Sequence, residues 1–205
     1  MSEQGPLISA VHLPPATAVS FQDPRVDAAP VWSPQVALLV SVASGLTMYG
    51  LLAVWFLEPW LADKPFHEQL FWLTIPHIFR YVGLAFIVPG VGSNDPASPL
   101  PTAWATAAAA LDFLTAILAM LAAIAIRATA YEAPGSWRYV AVTVLVWVYN
   151  IIGLGDLLNN FFGPEKGWKN IPSRLGSAWF IVTVYVPALI VLHVVSFVHL
   201  FGALA

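Results

Sequence analysis

Two charged residues, Arg80 and Asp112, lie near the middle of two different apolar stretches of the chain. An ionised side chain in hydrocarbon costs roughly 2.5 to 3.5 kcal/mol or more unless it has a partner. At about 1.5 Å of rise per residue, Arg80, Asp112 and Asn150 fall at about the same depth. His77 precedes Arg80 by three residues and so shares its helix face. We therefore predict a buried polar cluster made of His77, Arg80, Asp112 and Asn150.

This cluster has two interpretations. In the first, Arg80 and Asp112 form an ion pair, supported by Asn150, that fixes the bundle without chemistry. In the second, the same residues bind an ion, a proton or a small ligand, because intramembrane charges usually belong to such sites. Asp112 shares its helix stripe with small residues, which indicates a face packed against another helix rather than lipid. These residues are Ala116, Ala119 and Ala123.

His77 and His193 also fall at similar depths, on two different apolar runs. Two level histidines on neighbouring helices suit the axial positions of a haem iron, and one histidine suits the magnesium of a chlorophyll-type pigment. Alternatively, each ring hydrogen-bonds a backbone carbonyl or a neighbouring side chain. Our leading interpretation contains no cofactor and no metal, and a haem or chlorophyll-type pigment ligated by His77 and His193 is an alternative.

The elements that position these residues are predicted from composition. Hydrophobic residues make up 59% of the chain and charged residues 9%, whereas soluble domains are about 25% charged. Continuous apolar runs of about 20 residues predict membrane-spanning helices, and a β-barrel would instead show alternating segments of about 10 residues. We predict an all-α bundle of five transmembrane helices, at residues 36–56, 69–91, 103–126, 139–160 and 178–201.

The N-terminal residues 1–33 form a separate region, followed by the transmembrane domain, residues 34–205. This region contains five prolines, which favour an extended tail over a folded domain. We predict that the tail attaches the protein to a protein partner. No basic patch suggests nucleic acid, and the chain has no Cys, which excludes disulfides and thiolate chemistry.

Residues 159–174 form a loop in which aromatic residues accompany Lys166, Lys169 and Arg174. Basic residues in a short loop are typical of the cytoplasmic side of a membrane, and the aromatic residues are typical of the headgroup region, so we expect the N-terminus in the cytoplasm. Asp156 lies about 6 Å from this side by helical rise. We expect Asp156 to reach water or to hold the basic loop.

The transmembrane part resembles a group of uncharacterised bacterial five-span integral membrane proteins. The resemblance rests on four segments, PHIFRYVGLAFIVPGV, AALDFLTAILA, VWVYNIIGLGDLL and VPALIVLHVVSF. The resemblance implies a multi-pass helical protein of a bacterial inner membrane and no particular activity.

A second resemblance is shorter. Gly153–Leu154–Gly155–Asp156 and Pro187–Ala188–Leu189 resemble the GxGD and PAL motifs of intramembrane aspartyl proteases. The resemblance implies that Asp156 and Asp112 are a catalytic pair sharing one proton. Leu111 stands where that family has Tyr.

Other catalytic motifs are missing, since the sequence has no GxSxG, HExxH, Walker or dinucleotide-binding pattern. Our leading interpretation is therefore a non-enzymatic membrane protein, either a subunit of a larger assembly or a small ligand- or ion-handling protein. The alternatives are the aspartyl protease and the histidine-ligated pigment carrier.

Overall fold

The computed structural model describes residues 32–92, 99–130, 132–133, 135–162 and 171–203. Over these ranges the chain is helical, without β-strands, and five helical spans are long and apolar enough to cross a membrane. The all-α, multi-pass fold is confirmed. The predicted N-terminal tail, apart from its last two residues, and most of the basic loop lie outside the described residues.

The spans begin and end close to their predicted boundaries, except that the first continues beyond residue 56 to Ala62. The α-helices are α1 (Pro34–Leu52), α2 (Glu58–Ala62), α3 (Phe66–Ile78), α4 (Thr102–Ala128), α5 (Trp137–Phe162) and α6 (Val186–Gly202). The other helical segments are π turns at Ala53–Leu57 and Ile181–Tyr185 and 3-10 helices at Phe79–Ile87, Pro172–Arg174 and Gly176–Ala178.

Both π turns come just before a proline within a span. Ala53–Leu57 precedes Pro59, and Ile181–Tyr185 precedes Pro187. A proline has no amide hydrogen to donate, and its ring crowds the carbonyl four residues earlier. A wider turn relieves that crowding, so each span continues as a helix through its proline.

The second span changes helix type part-way along. Its α3 half contains Pro76, and from Phe79 it continues as a nine-residue 3-10 helix, Phe79–Ile87. The Pro76 carbonyl accepts hydrogen bonds from the Phe79 amide and, at 2.6 Å, from the Tyr185 hydroxyl. A 3-10 helix has three residues per turn and runs longer than four residues are uncommon. This segment carries Arg80.

Four spans enclose the polar interior. The second span packs on α4, α4 on α5, α5 on α6, and α6 back on α3, while α1 packs against α6 outside this ring. The inner face of α4 is built of buried alanines, which lets the neighbouring backbones approach closely. Three of these alanines, Ala116, Ala119 and Ala123, are those predicted to share the stripe of Asp112.

Candidate functional site

Arg80 is the centre of the polar interior. Arg80 is only 1% exposed, although its side chain is charged and the surrounding bundle is apolar. The 3-10 helix explains its direction, because a spacing of three residues places Arg80, Gly83 and Phe86 on one face, and all three are buried. The irregular helix thus points the guanidinium into the bundle rather than into lipid.

The Arg80 guanidinium binds carboxylates from two other spans. Its Nε and Nη2 contact Oδ1 of Asp112 at 2.7 and 2.6 Å. The same Nη2 contacts Oδ2 of Asp156 at 2.7 Å. Charge-assisted contacts of this length are strong in a poorly solvated interior. Arg80 therefore joins α4 and α5 to the second span, and the Arg80–Asp112 ion pair expected from matching depths is present.

Asp156 lies deeper in the polar interior than we expected. We expected it to reach water or to hold the basic loop; it is 4% exposed, not open to water, and binds Arg80, while residues 163–170 of that loop lie outside the described residues. Its other oxygen accepts a hydrogen bond from Asn160 Nδ2 at 2.9 Å. The available signal was its position on the same stripe of α5 as Asn150 and Gly153. The depth count along an ideal helix did not predict the Arg80–Asp156 contact, because that count ignores the length of the Arg80 side chain.

Two glycines allow the spans to approach the Arg80 group. A Cβ atom on Gly153 would lie 2.7 Å from Arg80 Nη1 and 2.7 Å from His193 Cε1. The Gly153 carbonyl instead accepts a hydrogen bond from Arg80 Nη1 at 2.9 Å. A Cβ on Gly83 would collide with the Asp112 carboxylate. Any side chain at either position would displace the cluster.

Asn150 fixes the orientation and tautomer of His193. The Asn150 amide nitrogen donates to the Val146 carbonyl at 2.8 Å, so its oxygen is left to accept from His193 Nδ1 at 2.7 Å. A neutral imidazole that donates from Nδ1 carries its lone pair on Nε2. This nitrogen faces Arg80 Nη1 at 3.4 Å. Asn150 therefore contacts Arg80 through His193, not directly as the sequence suggested.

His77 lies against His193, with ring centroids 4.0 Å apart at an angle of 33°. It is fully buried, and neither ring nitrogen has a hydrogen-bond partner among the described residues. A hydrogen-bonded pair, Thr74 and Tyr149, lies next to it, with the two hydroxyl oxygens 2.8 Å apart. His77 is thus part of the polar interior but outside the hydrogen-bonded network of Arg80.

A cavity of about 50 Å³ lies beside Asp112. Its wall is mainly apolar, and its polar members are Asp112, Asn160 and Trp104. The Asp112 side chain is 9% exposed, against 1% for Asp156. Both Arg80 contacts use Asp112 Oδ1, and Oδ2 makes no hydrogen bond within the described part of the chain. Asp112 is therefore the carboxylate of the cluster that is accessible.

A second polar group occupies the opposite end of the bundle. His199 Nδ1 lies 2.7 Å from Gln69 Oε1, and Nε2 lies 3.2 Å from Glu58 Oε2. Gln69 Nε2 donates to the carbonyls of Leu61 and Lys64, so its oxygen must be the acceptor. Both imidazole nitrogens lie within hydrogen-bonding distance of an acceptor oxygen. This group clamps α6 to α2 and α3.

The comparisons with known proteins add a family to this geometry. A family model described as "Domain of unknown function (DUF8737)" matches residues 37–201. The chain belongs to this family. The DUF8737 match covers nearly all of the five helical spans and every member of the Arg80 cluster, and it begins after residues 1–33. Neither the curated proteins nor the solved structures include a match.

The protease interpretation can be compared with this DUF8737 site. Asp112 and Asp156 do approach each other, as the GxGD resemblance implies, but Arg80 Nη2 contacts both. Catalytic carboxyl dyads share one proton between two closely spaced oxygens. Here a guanidinium holds the place of that proton, so dyad chemistry would require Arg80 to withdraw.

The pigment interpretation can be compared in the same way. A haem with two axial histidines lies between their rings, whereas the His77 and His193 rings contact each other directly. The pair as placed leaves no gap for a macrocycle. Among the described residues, no group of three or more His, Asp or Glu side chains is arranged to hold a metal ion.

Proposed function

We propose that this protein is a small membrane protein that handles a proton or a small ligand at Asp112. The observation that carries the proposal is the asymmetry of the two carboxylates on Arg80. Asp156 is enclosed, while Asp112 keeps an oxygen without a hydrogen-bond partner in the described part of the chain and faces a cavity. Intramembrane carboxylates at cavities are typical of ion and ligand pathways.

The charges of the cluster support an exchangeable group at Asp112. Arg80 divides one positive charge between two carboxylates, so its neutralisation of Asp112 is incomplete. A partly neutralised carboxylate is costly in a poorly polarisable interior. Binding a proton, or a ligand that donates a hydrogen bond, lowers that cost. His193 adds no charge here, because its Nε2 lies 3.4 Å from Arg80 Nη1, a group that can only donate, and must therefore act as the acceptor.

Infrared spectroscopy of the protein in lipid nanodiscs tests this proposal. A carboxyl C=O band that titrates with pH and shifts in D₂O is expected in the wild type and should be lost in Asp112→Asn. Asp156→Asn is the matched comparison, because it removes the other carboxylate on the same guanidinium. It should keep a titrating band from Asp112, with a changed midpoint, since Asp112 then has the guanidinium to itself. A wild type without any titrating carboxyl band, or a band lost only in Asp156→Asn, would contradict the proposal.

A role as a subunit of a membrane assembly is the second candidate. The observation that favours it is the first span, of which 17% is buried within the bundle, against 39% to 44% for the other four. Its outer surface includes Val54, which is 64% exposed. The absence of native Cys makes a single introduced Cys a clean crosslinking probe. Crosslinks to one partner from Val54→Cys, and none from Val198→Cys on α6, would support this role.

A further inference from the structure

The cavity beside Asp112 has a polar end and an apolar remainder. All five spans contribute to it, with Leu38 from α1, Phe86 from the second span, Ala108 from α4, Leu157 from α5 and Val186 from α6. About 50 Å³ is free inside it, several times the 10 to 15 Å³ needed to admit one water. It can therefore hold a small polar head with the beginning of an apolar chain.

Two further residues that line this cavity each carry a buried polar atom without a hydrogen-bond partner among the described residues. Trp104 lines the cavity and is 5% exposed, and its indole N–H is buried without an acceptor. Asn160 lines it too, and while its amide nitrogen binds Asp156, its Oδ1 is buried without a donor. An unmatched buried donor or acceptor costs about 1 to 3 kcal/mol. These atoms are independent of the Arg80 contacts and point to a ligand.

The unmatched atoms define the chemistry of that ligand. Trp104 supplies a donor and needs an acceptor, whereas Asn160 Oδ1 and Asp112 Oδ2 are acceptors and need a donor. A hydroxyl both accepts and donates. An ammonium group has no acceptor for the indole, and a carboxylate has no donor for Asn160 and is repelled by Asp112. The apolar wall requires the rest of the molecule to be hydrocarbon.

We propose that this cavity binds the hydroxyl head of a neutral amphiphile, with Trp104 and Asn160 as its specificity-determining residues beside Asp112. The inference rests on the proposed function, since it names the ligand class of the same site. The hydroxyl chemistry is shared by free medium-chain alcohols and by membrane lipids with an alcohol head, such as diacylglycerol. The experiment below separates these two sources.

Photoaffinity labelling of the full-length protein in phosphatidylcholine nanodiscs tests the inference. The probe is an eight-carbon alcohol with a diazirine at the far end, and labelled peptides are mapped by mass spectrometry. Labelling of α4 and α5 around the cavity should be saturable and should be competed by 1-octanol. Octylamine, octanoate and octane, which share the chain but not the head, should compete at least tenfold less well.

Competition by diacylglycerol incorporated in the nanodisc distinguishes the two sources of hydroxyl. If diacylglycerol displaces the probe, the ligand is a membrane lipid; if only 1-octanol does, it is a free amphiphile. Equal competition by all four eight-carbon compounds would show simple partition into apolar surface and would overturn the inference. Absence of saturable labelling would assign the cavity to water alone and would also overturn it.

Trp104→Phe isolates the indole N–H, because it keeps an aromatic ring against the cavity. It should weaken competition by 1-octanol about five- to tenfold, as expected for one lost hydrogen bond. Trp147→Phe, in the separate aromatic group with Phe197 and Phe201, is the matched control and should leave it unchanged. A Trp104→Phe protein with wild-type melting and wild-type competition would contradict the assigned role.

Ala108→Val provides an independent variant, because it adds two methyl groups to the cavity wall without removing a polar atom. Saturable labelling should fall while the titrating carboxyl band of Asp112 remains. Failure of the labelling prediction with the band intact would refute only the ligand class. Absence of the titrating carboxyl band from the wild-type protein would refute the proposed function itself.

Discussion

Arg80 and Asp156 are joined by a 2.7 Å contact between Nη2 and Oδ2, across 76 residues of sequence. The contact makes Arg80 the link between three spans, because the same guanidinium binds Asp112 on α4. Contacts with Asp112, Asp156 and the Gly153 carbonyl hold the long Arg80 side chain in one rotamer, which a single ion pair would not do. The cluster therefore fixes both the packing of the bundle and the position of the accessible Asp112 carboxylate.

Replacing Arg80 should destabilise the protein strongly. Arg80→Met leaves two buried carboxylates without their guanidinium, and we expect a loss of about 3 to 5 kcal/mol in thermal or denaturant unfolding in detergent. The control is Arg138→Met, which removes a cation with a 58% exposed side chain paired to Glu132 and should cost less than about 1 kcal/mol. The combined Arg80→Met, Asp112→Asn, Asp156→Asn protein should recover part of the loss, since no buried charge remains. Equal losses in Arg80→Met and Arg138→Met would contradict a structural role for the cluster.

Substitutions at two glycines of α5 test how closely this helix packs against the Arg80 cluster. Gly153→Ala places a methyl group against Arg80 and His193 and should cost about 1 to 3 kcal/mol through overpacking. Gly155→Ala, two residues along the same helix, has no atom within 4 Å of the new Cβ. It should be neutral or stabilise the protein by up to about 1 kcal/mol. The measurement is the melting temperature of each variant in the same detergent, and Gly153→Ala should melt at the lower temperature. A lower melting temperature for Gly155→Ala would contradict close packing of Gly153 against Arg80 and His193.

The two central histidines should respond differently to removal. His193→Leu leaves the buried Asn150 oxygen without its donor, and we expect a loss of about 1 to 3 kcal/mol. His77→Leu removes a ring whose nitrogens have no hydrogen-bond partner in the described chain, so its unfolding free energy should change less. If the His77 variant is the less stable one, His77 has a partner that only the assembled or ligand-bound protein supplies.

An absorption spectrum of the purified protein checks the pigment alternative. Because the His77 and His193 rings contact each other at 4.0 Å, we expect no Soret band. A Soret band that disappears in both single histidine variants would show that the rings separate to accept a haem. A band that survives both would be assigned to a co-purifying haem protein.

The N-terminal tail remains a prediction about partners, because residues 1–31 lie outside the described chain. Deleting residues 1–30 should release the protein from its assembly while the transmembrane bundle keeps its melting temperature. Co-purification from native membrane, compared with the full-length chain, measures this. If the truncated protein co-purifies with the same partners, the tail is not the attachment site, and the first span becomes the candidate.

The sequence by itself determined the spans and part of the site. Continuous apolar runs predict membrane-spanning helices from solvation alone, and the described chain has five helices long and apolar enough to cross a membrane. It also determined that Arg80 needs a partner and that Asp112, on an alanine stripe, faces protein. These conclusions depend on the cost of burying charge and on helical periodicity, which are local properties of the chain.

Only the tertiary structure decided how the site is completed. Asp156 joins Arg80 because a 3-10 helix redirects the guanidinium and glycines let α5 approach, and neither effect follows from counting residues along an ideal helix. The His193 tautomer likewise depends on which Asn150 atom is already bonded. The cavity beside Asp112 exists because the five spans do not fill the space between them. Packing of side chains from distant segments decides such features, and no local pattern encodes it.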